Sequence, residues 1–278
     1  LEVRVAEPIT DRHVVAVLRP FVRATTPMLA ALRDSDPLGL VRKVLPDGRS
    51  AGSDETDGDV AHLRRLRHKV LDGLENMRVP GTAAWSRMTA TDRDDWWVNR
   101  VGRFTVLLAA LPGLAGAIAD RVPVQDTLAL AGQGLLLCAI AGEHGVTDPA
   151  DRVRLLAAVL FDRDIDPALA GKPADTAAEE REAAELTAEL SKSSARHGRV
   201  TLRAAGRTMW RFGRTLWALG DELDKRPQGR FYHRMLGVLP VVGMAGDYLG
   251  ERSALKRAAK AGKKWLAARA ALPPAEMV

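Results

Sequence analysis

Apolar residues recur at three- and four-residue intervals along almost the whole chain, and alternation of apolar with polar residues is nearly absent. No other feature constrains the fold as strongly. A helix returns a side chain to one face every 3.6 residues, whereas a strand does so every second residue. Val14, Val15, Leu18, Phe21, Val22 and Thr25 follow Asp11 at helical spacing, with Pro20 and Pro27 expected to kink or break the helix. Leu63, Leu66, Val70 and Leu74 repeat the pattern behind a capping Asp59. Trp97, Val101 and Phe104 repeat it behind Thr91 and Asp94, which are spaced as a capping box. Asp148-Pro149 places a capping residue before a proline at the first helical position, ahead of Val153, Leu156, Ala157 and Leu160. Asp175–Leu190 is rich in strong helix formers, and Gly198 separates it from a helix over Val200–Leu223. Only Gly237–Val242 offers a β-branched run, and Pro240 interrupts it. The pattern predicts an all-α fold of about nine to eleven helices, in a single domain over residues 1–278.

The two most apolar stretches are Phe104–Ala119 and Thr127–Gly142. Pro112, Gly113 and Gly116 cut the first, and Gln133 with three glycines dilutes the second. Neither supplies the roughly 20 uninterrupted apolar residues that span a bilayer, so a buried Gly-rich helical hairpin is expected. Leu1–Pro8 carries Glu2, Arg4 and Glu7, which is not a secretory pattern. Ser50–Asp59 is acidic and has no apolar period, and it reads as a mobile loop. Cys138 is the only cysteine, so no intrachain disulfide can form, and a reducing, cytoplasmic setting is expected. Its place between Leu137 and Ala139 makes it an inert core thiol.

Charge is unevenly distributed. Residues 1–190 hold 23 Lys and Arg against 29 Asp and Glu, whereas residues 191–278 hold 18 against 6, a net +12. Within this basic third, Arg199, Arg203, Arg207 and Arg211 step by four and form one stripe. A second helix, expected from about Glu251 to Ala271, lines up Arg252, Lys256, Lys260, Lys263 and Lys264 opposite Leu255, Ala258, Ala259, Gly262 and Leu266. Trp265 falls at the boundary. Basic face, apolar face and boundary tryptophan together are the composition of a helix lying on anionic lipid, with Trp265 and Leu266 inserting.

Candidate chemistry is sparse. Asp94-Asp95-Trp96-Trp97 is similar to the aspartate-rich helix of all-α isoprenoid synthases, but Val98 stands where a further carboxylate would complete a magnesium site. Asp162, Asp164 and Asp166 alternate as in a calcium loop, yet Pro167 and Pro173 occupy the positions that need Gly and Glu. A helix end followed by a solvated turn is expected there. Glu143-His144 could act as an acid/base pair at a helix end. An enzyme reading therefore rests on Asp94, Asp95, Glu143 and His144 converging. No cofactor or metal is expected.

Leu239-Pro240-Val241-Val242-Gly243, then Ala245-Gly246 and a basic Ala-rich helix, resembles the C-terminal signature of the EcsC protein family. Leu111-Pro112-Gly113-Leu114-Ala115-Gly116, Ala119-Asp120, and the segment from Ala139-Ile140-Ala141 to His144-Gly145 are similar to that family's glycine-rich middle. The resemblance covers roughly Phe104–Phe161 and Leu236–Leu266. It implies a bacterial, mainly helical, cytoplasmic or membrane-peripheral protein and carries over no catalytic residue. Taken together, the residues predict a noncatalytic peripheral protein whose basic C-terminal third meets anionic membrane or an acidic protein partner. Nonspecific nucleic-acid binding is the alternative, since Arg stripes also suit phosphates.

Overall fold

A computed structural model describes residues 9–34, 80, 83–109, 124–172, 176–224 and 244–271, with backbone only at 34, 83, 222, 224 and 244–252. The expected acidic loop at 50–59, the helix behind Asp59, the hairpin connector and the Gly237–Val242 run lie outside them. Among the described residues the chain is all-α, with nine helices and no strand. In chain order these are α1 (Asp11–Asp34), α2 (Ala83–Ser86), α3 (Ala90–Ala109), α4 (Val124–Glu143), α5 (Pro149–Phe161), α6 (Pro167–Gly171), α7 (Thr176–His197), α8 (Leu202–Asp224) and α9 (Met244–Ala270).

The chain groups into two compact units, residues 1–29 with 94–278, and residues 30–93. In the larger unit α4 is the hub, packing against α5, α8 and α9. Its residues are buried on all sides from Leu130 to Ala141, including Leu135, Leu136, Leu137 and Ile140. A helix apolar all round must lie inside a protein or a membrane. By length and apolar content α1 and α4 could each cross a bilayer, but 78% of the α4 window is buried within the protein. Each fully buried Leu or Ile contributes about 1.5–3 kcal/mol, so α4 is the energetic centre of the unit. The second arm of the expected hairpin is thus this buried helix. The first arm continues α3 as far as Ala109, where the described residues pause.

Glycines set the helix spacing. A Cβ on Gly132 of α4 would meet Thr105 Cγ2 at 3.1 Å, and one on Gly134 would meet Phe21 Cζ at 2.8 Å. On α8, a Cβ at Gly213 would fall 2.2 Å from the Thr127 carbonyl oxygen, so α4 and α8 touch backbone to backbone. These glycines serve helix contact.

Helix ends follow local chemistry. Asp148 Oδ1 accepts from the Ala150 N–H at 3.0 Å and Pro149 opens α5, as expected. Asp162 ends α5 in the left-handed region (φ 52°), and Asp166 caps α6 through the Ala168 N–H at 2.7 Å. Asp162 and Asp166 are therefore helix caps, and Asp164 lies in the short turn between them. Pro20 and Pro27 do not break α1, which runs unbroken for 24 residues. Val14, Leu18, Phe21, Val22 and Met28 are buried along it, and Phe21 meets Phe212 edge-on at 5.1 Å. This burial offsets the two missing hydrogen bonds.

In the smaller unit, described at the end of α1, in α2 and in the first turn of α3, Leu32 and Trp85 are buried. There the capping box differs from the expected one. Thr89 and Asp92 form it: the Thr89 hydroxyl donates to Asp92 Oδ2 at 2.7 Å, and the Asp92 N–H donates to Thr89 Oγ1 at 3.1 Å. Helix α3 therefore starts one residue before Thr91, at Ala90, and Asp94 lies a turn inside it rather than at its cap.

Candidate functional site

The basic face of α9 is the first candidate. The helix begins at Met244, seven residues before the expected start. Leu255, Ala258, Ala259, Gly262 and Leu266 are buried, and the space at Gly262 is filled by Leu137 of α4. Lys256, Arg257, Lys260 and Lys264 are exposed on the other side. None of the four has an ion-pair partner among the described residues. Arg257 was missed in the sequence pattern, although it lies three residues from Lys260 and seven from Lys264 and so shares their face. The Arg252 side chain lies outside the described residues.

Two of the expected surface residues behave differently. Leu266 is 6% exposed and belongs to the core, so it cannot insert into lipid. Trp265 is half-buried beside the guanidinium groups of Arg154 (5.8 Å from its ring centre) and Arg269 (5.9 Å). Both arginines pair with Asp151, which holds them at cation–π distance from the tryptophan ring. Burial pushes the Asp151 carboxyl up, against the opposing pull of Arg269.

The arginine stripe on α8 is divided. Arg199, just ahead of the helix, and Arg203 are exposed and have no ion pair among the described residues. Arg207 pairs with Glu189 of α7 at 3.1 Å, and Arg211 donates to the Glu185 carbonyl at 2.7 Å. The hydrogen bond from Arg207 holds the Glu189 carboxyl below its ordinary range. Alignment of four arginines was legible in the sequence. That an acidic helix lies across two of them depends on how α7 folds back onto α8.

The second candidate lies at one end of α3, α4 and α9. Asp94 is 1% exposed, and its Oδ2 accepts from His144 Nε2 at 3.1 Å. Lys263 Nζ stands 3.8 Å from the same oxygen. Beside them the Trp97 indole N–H donates to Glu143 Oε1 at 3.1 Å. Asp94, Glu143 and His144 thus converge, while Asp95 is exposed and takes no part. Lys263 is the unforeseen member: counted with the surface lysines, it turns inward to a buried carboxylate. Among the described residues no group of three or more potential ligands forms a metal cluster. Cys138 is buried, and burial pushes its thiol up to about 11.

Comparison of this chain with protein-family models, with curated proteins and with solved structures finds no match.

Proposed function

We propose that this protein binds at the periphery of an anionic membrane, on its cytoplasmic face, through the exposed side of α9. An acidic protein surface is the related partner of the same chemistry. The reading is carried by one observation: Lys256, Arg257, Lys260 and Lys264 share an exposed face and have no ion-pair partner among the described residues. Each such cation near an anionic surface contributes about 1 kcal/mol. Four together contribute about 4 kcal/mol, close to a thousandfold in binding constant. Arg199 and Arg203 extend the basic surface, whereas Arg207 and Arg211 are partly engaged by α7. With Leu266 in the core, attachment is electrostatic rather than insertional. The same proposal takes up the resemblance to the EcsC family and its bacterial setting.

The test is co-sedimentation of the full chain with phosphatidylglycerol and with phosphatidylcholine vesicles across a salt series. Binding to the anionic vesicles alone, weakening as salt shortens the screening length below about 8–10 Å, supports the reading. Reversal of Lys256, Lys260 and Lys264 to Glu should abolish it. Equal binding to both vesicle types, or to neither, refutes the lipid version. Tight, salt-sensitive binding to duplex DNA with no vesicle binding would favour the nucleic-acid alternative.

A further inference from the structure

The polar end of the bundle has no part in surface binding, yet it holds the chemistry most capable of a reaction. An ionised carboxylate only accepts hydrogen bonds, so the contact between Asp94 and His144 places a proton on Nε2, and in the neutral imidazole the lone pair is then on Nδ1. The His144 imidazole makes no further hydrogen bond among the described residues, and the side chain is 30% exposed. Its free nitrogen therefore sits on an oriented, accessible ring. Behind it Asp94 is 1% exposed, and its Oδ1 is buried without a hydrogen-bond partner. Lys263 is 34% exposed and too far from Asp94 for a hydrogen bond, so its ammonium keeps its donors.

We infer that His144 is a general base, oriented by Asp94 and assisted by the Lys263 ammonium, for attack of water on a neutral carboxylic ester. The inference goes beyond surface binding and stands without it. The substrate class follows from the charges present. Asp94 against the imidazole, with Glu143 next to His144 in the chain, opposes a phosphate dianion, while a single ammonium suits the one negative charge that develops on an ester carbonyl. Water oxygen bonds to the carbonyl carbon as its proton moves to Nδ1. The carbonyl electron pair moves to oxygen, where Lys263 stabilises it. When the intermediate collapses, the carbon–alkoxy bond breaks and the leaving alkoxide takes the proton from Nδ1. Carboxylic acid and alcohol leave, the acid then gives its proton to solvent water, and the neutral imidazole is restored. Asp94 acts through His144 and is a positioning residue.

The experiment uses the full chain and p-nitrophenyl acetate. Release of p-nitrophenolate is expected at about 100-fold or more above the same concentration of free imidazole, with a solvent deuterium isotope effect. His144→Gln should bring it to background, and Asp94→Asn should lower it at least tenfold. A wild-type rate no greater than that of imidazole, or one unchanged in His144→Gln, overturns the inference, as does an acetyl adduct accumulating on His144. Because either variant can perturb folding, the ring of His144 is also read in the wild-type protein by long-range proton–nitrogen NMR. The Nε2–H tautomer supports the inference, and the Nδ1–H tautomer overturns it.

Discussion

Replacing Gly213 with Ala should destabilise the protein, although alanine is the better helix former. Gly213 lies inside α8, where Gly→Ala ordinarily gains about 1 kcal/mol. Here the new carbon would fall 2.2 Å from the Thr127 carbonyl oxygen, 2.5 Å from its Cγ2 and 2.8 Å from its carbonyl carbon. Two of these atoms are backbone of α4 and cannot swing aside, so the two helices must separate. Overpacking a close contact costs about 1–3 kcal/mol, and a backbone obstacle places this site at the upper end. The net loss is about 2 kcal/mol after the propensity gain, or a fall of roughly 4–8 °C in melting temperature for a chain of this size. Gly142→Ala is the internal control. Its nearest neighbour would be Arg152 Nη2 at 3.6 Å, an ordinary contact with a mobile side-chain end. That variant should be neutral or gain up to about 1 kcal/mol. Urea unfolding of both variants beside the wild type decides the matter. Gly213→Ala as stable as the wild type, or both alanines equally harmful, would refute the claim that α4 and α8 pack backbone to backbone.

Asp148→Ala removes the cap of α5 and should cost about 1 kcal/mol in the same unfolding assay, with Asp148→Asn restoring most of it. Cys138 should resist a thiol reagent at pH 8 in the native protein and react fully in denaturant, since its thiol titrates near 11 when folded. Rapid native-state labelling would show that the core around α4 opens readily. Glu189 titrates below its ordinary range because Arg207 favours its charged form. Its contribution is therefore present above the unfolded-state value and is lost as pH falls through the folded one. The stability difference between wild type and Glu189→Gln should be small at pH 7, shrink on acidification and weaken in salt, because the pair is half open to water.

The helical class was legible because periodicity is a local property of the chain. The cap at Asp148-Pro149, the break at Gly198 and the buried helix around Leu135–Ile140 all follow from residues within a few positions of one another. The exposed face of α9 was legible for the same reason, since Lys256, Lys260 and Lys264 are spaced by four. Local signals misled where two nearby pairs competed: Thr89–Asp92 rather than Thr91–Asp94 caps α3. Contacts between distant residues were decided only in three dimensions. Periodicity cannot say which helix covers a given stripe, so it could not place Glu189 on Arg207, Leu266 in the core or Trp265 beside two arginines. Nor could it bring Lys263 within 3.8 Å of Asp94, 169 positions earlier in the chain. The sequence determined by itself which faces of each helix are apolar and which are charged, because that depends only on residue order and 3.6-residue geometry. Tertiary packing decided which charges remain open to a partner and which become a buried cluster, because that depends on the neighbour each face meets.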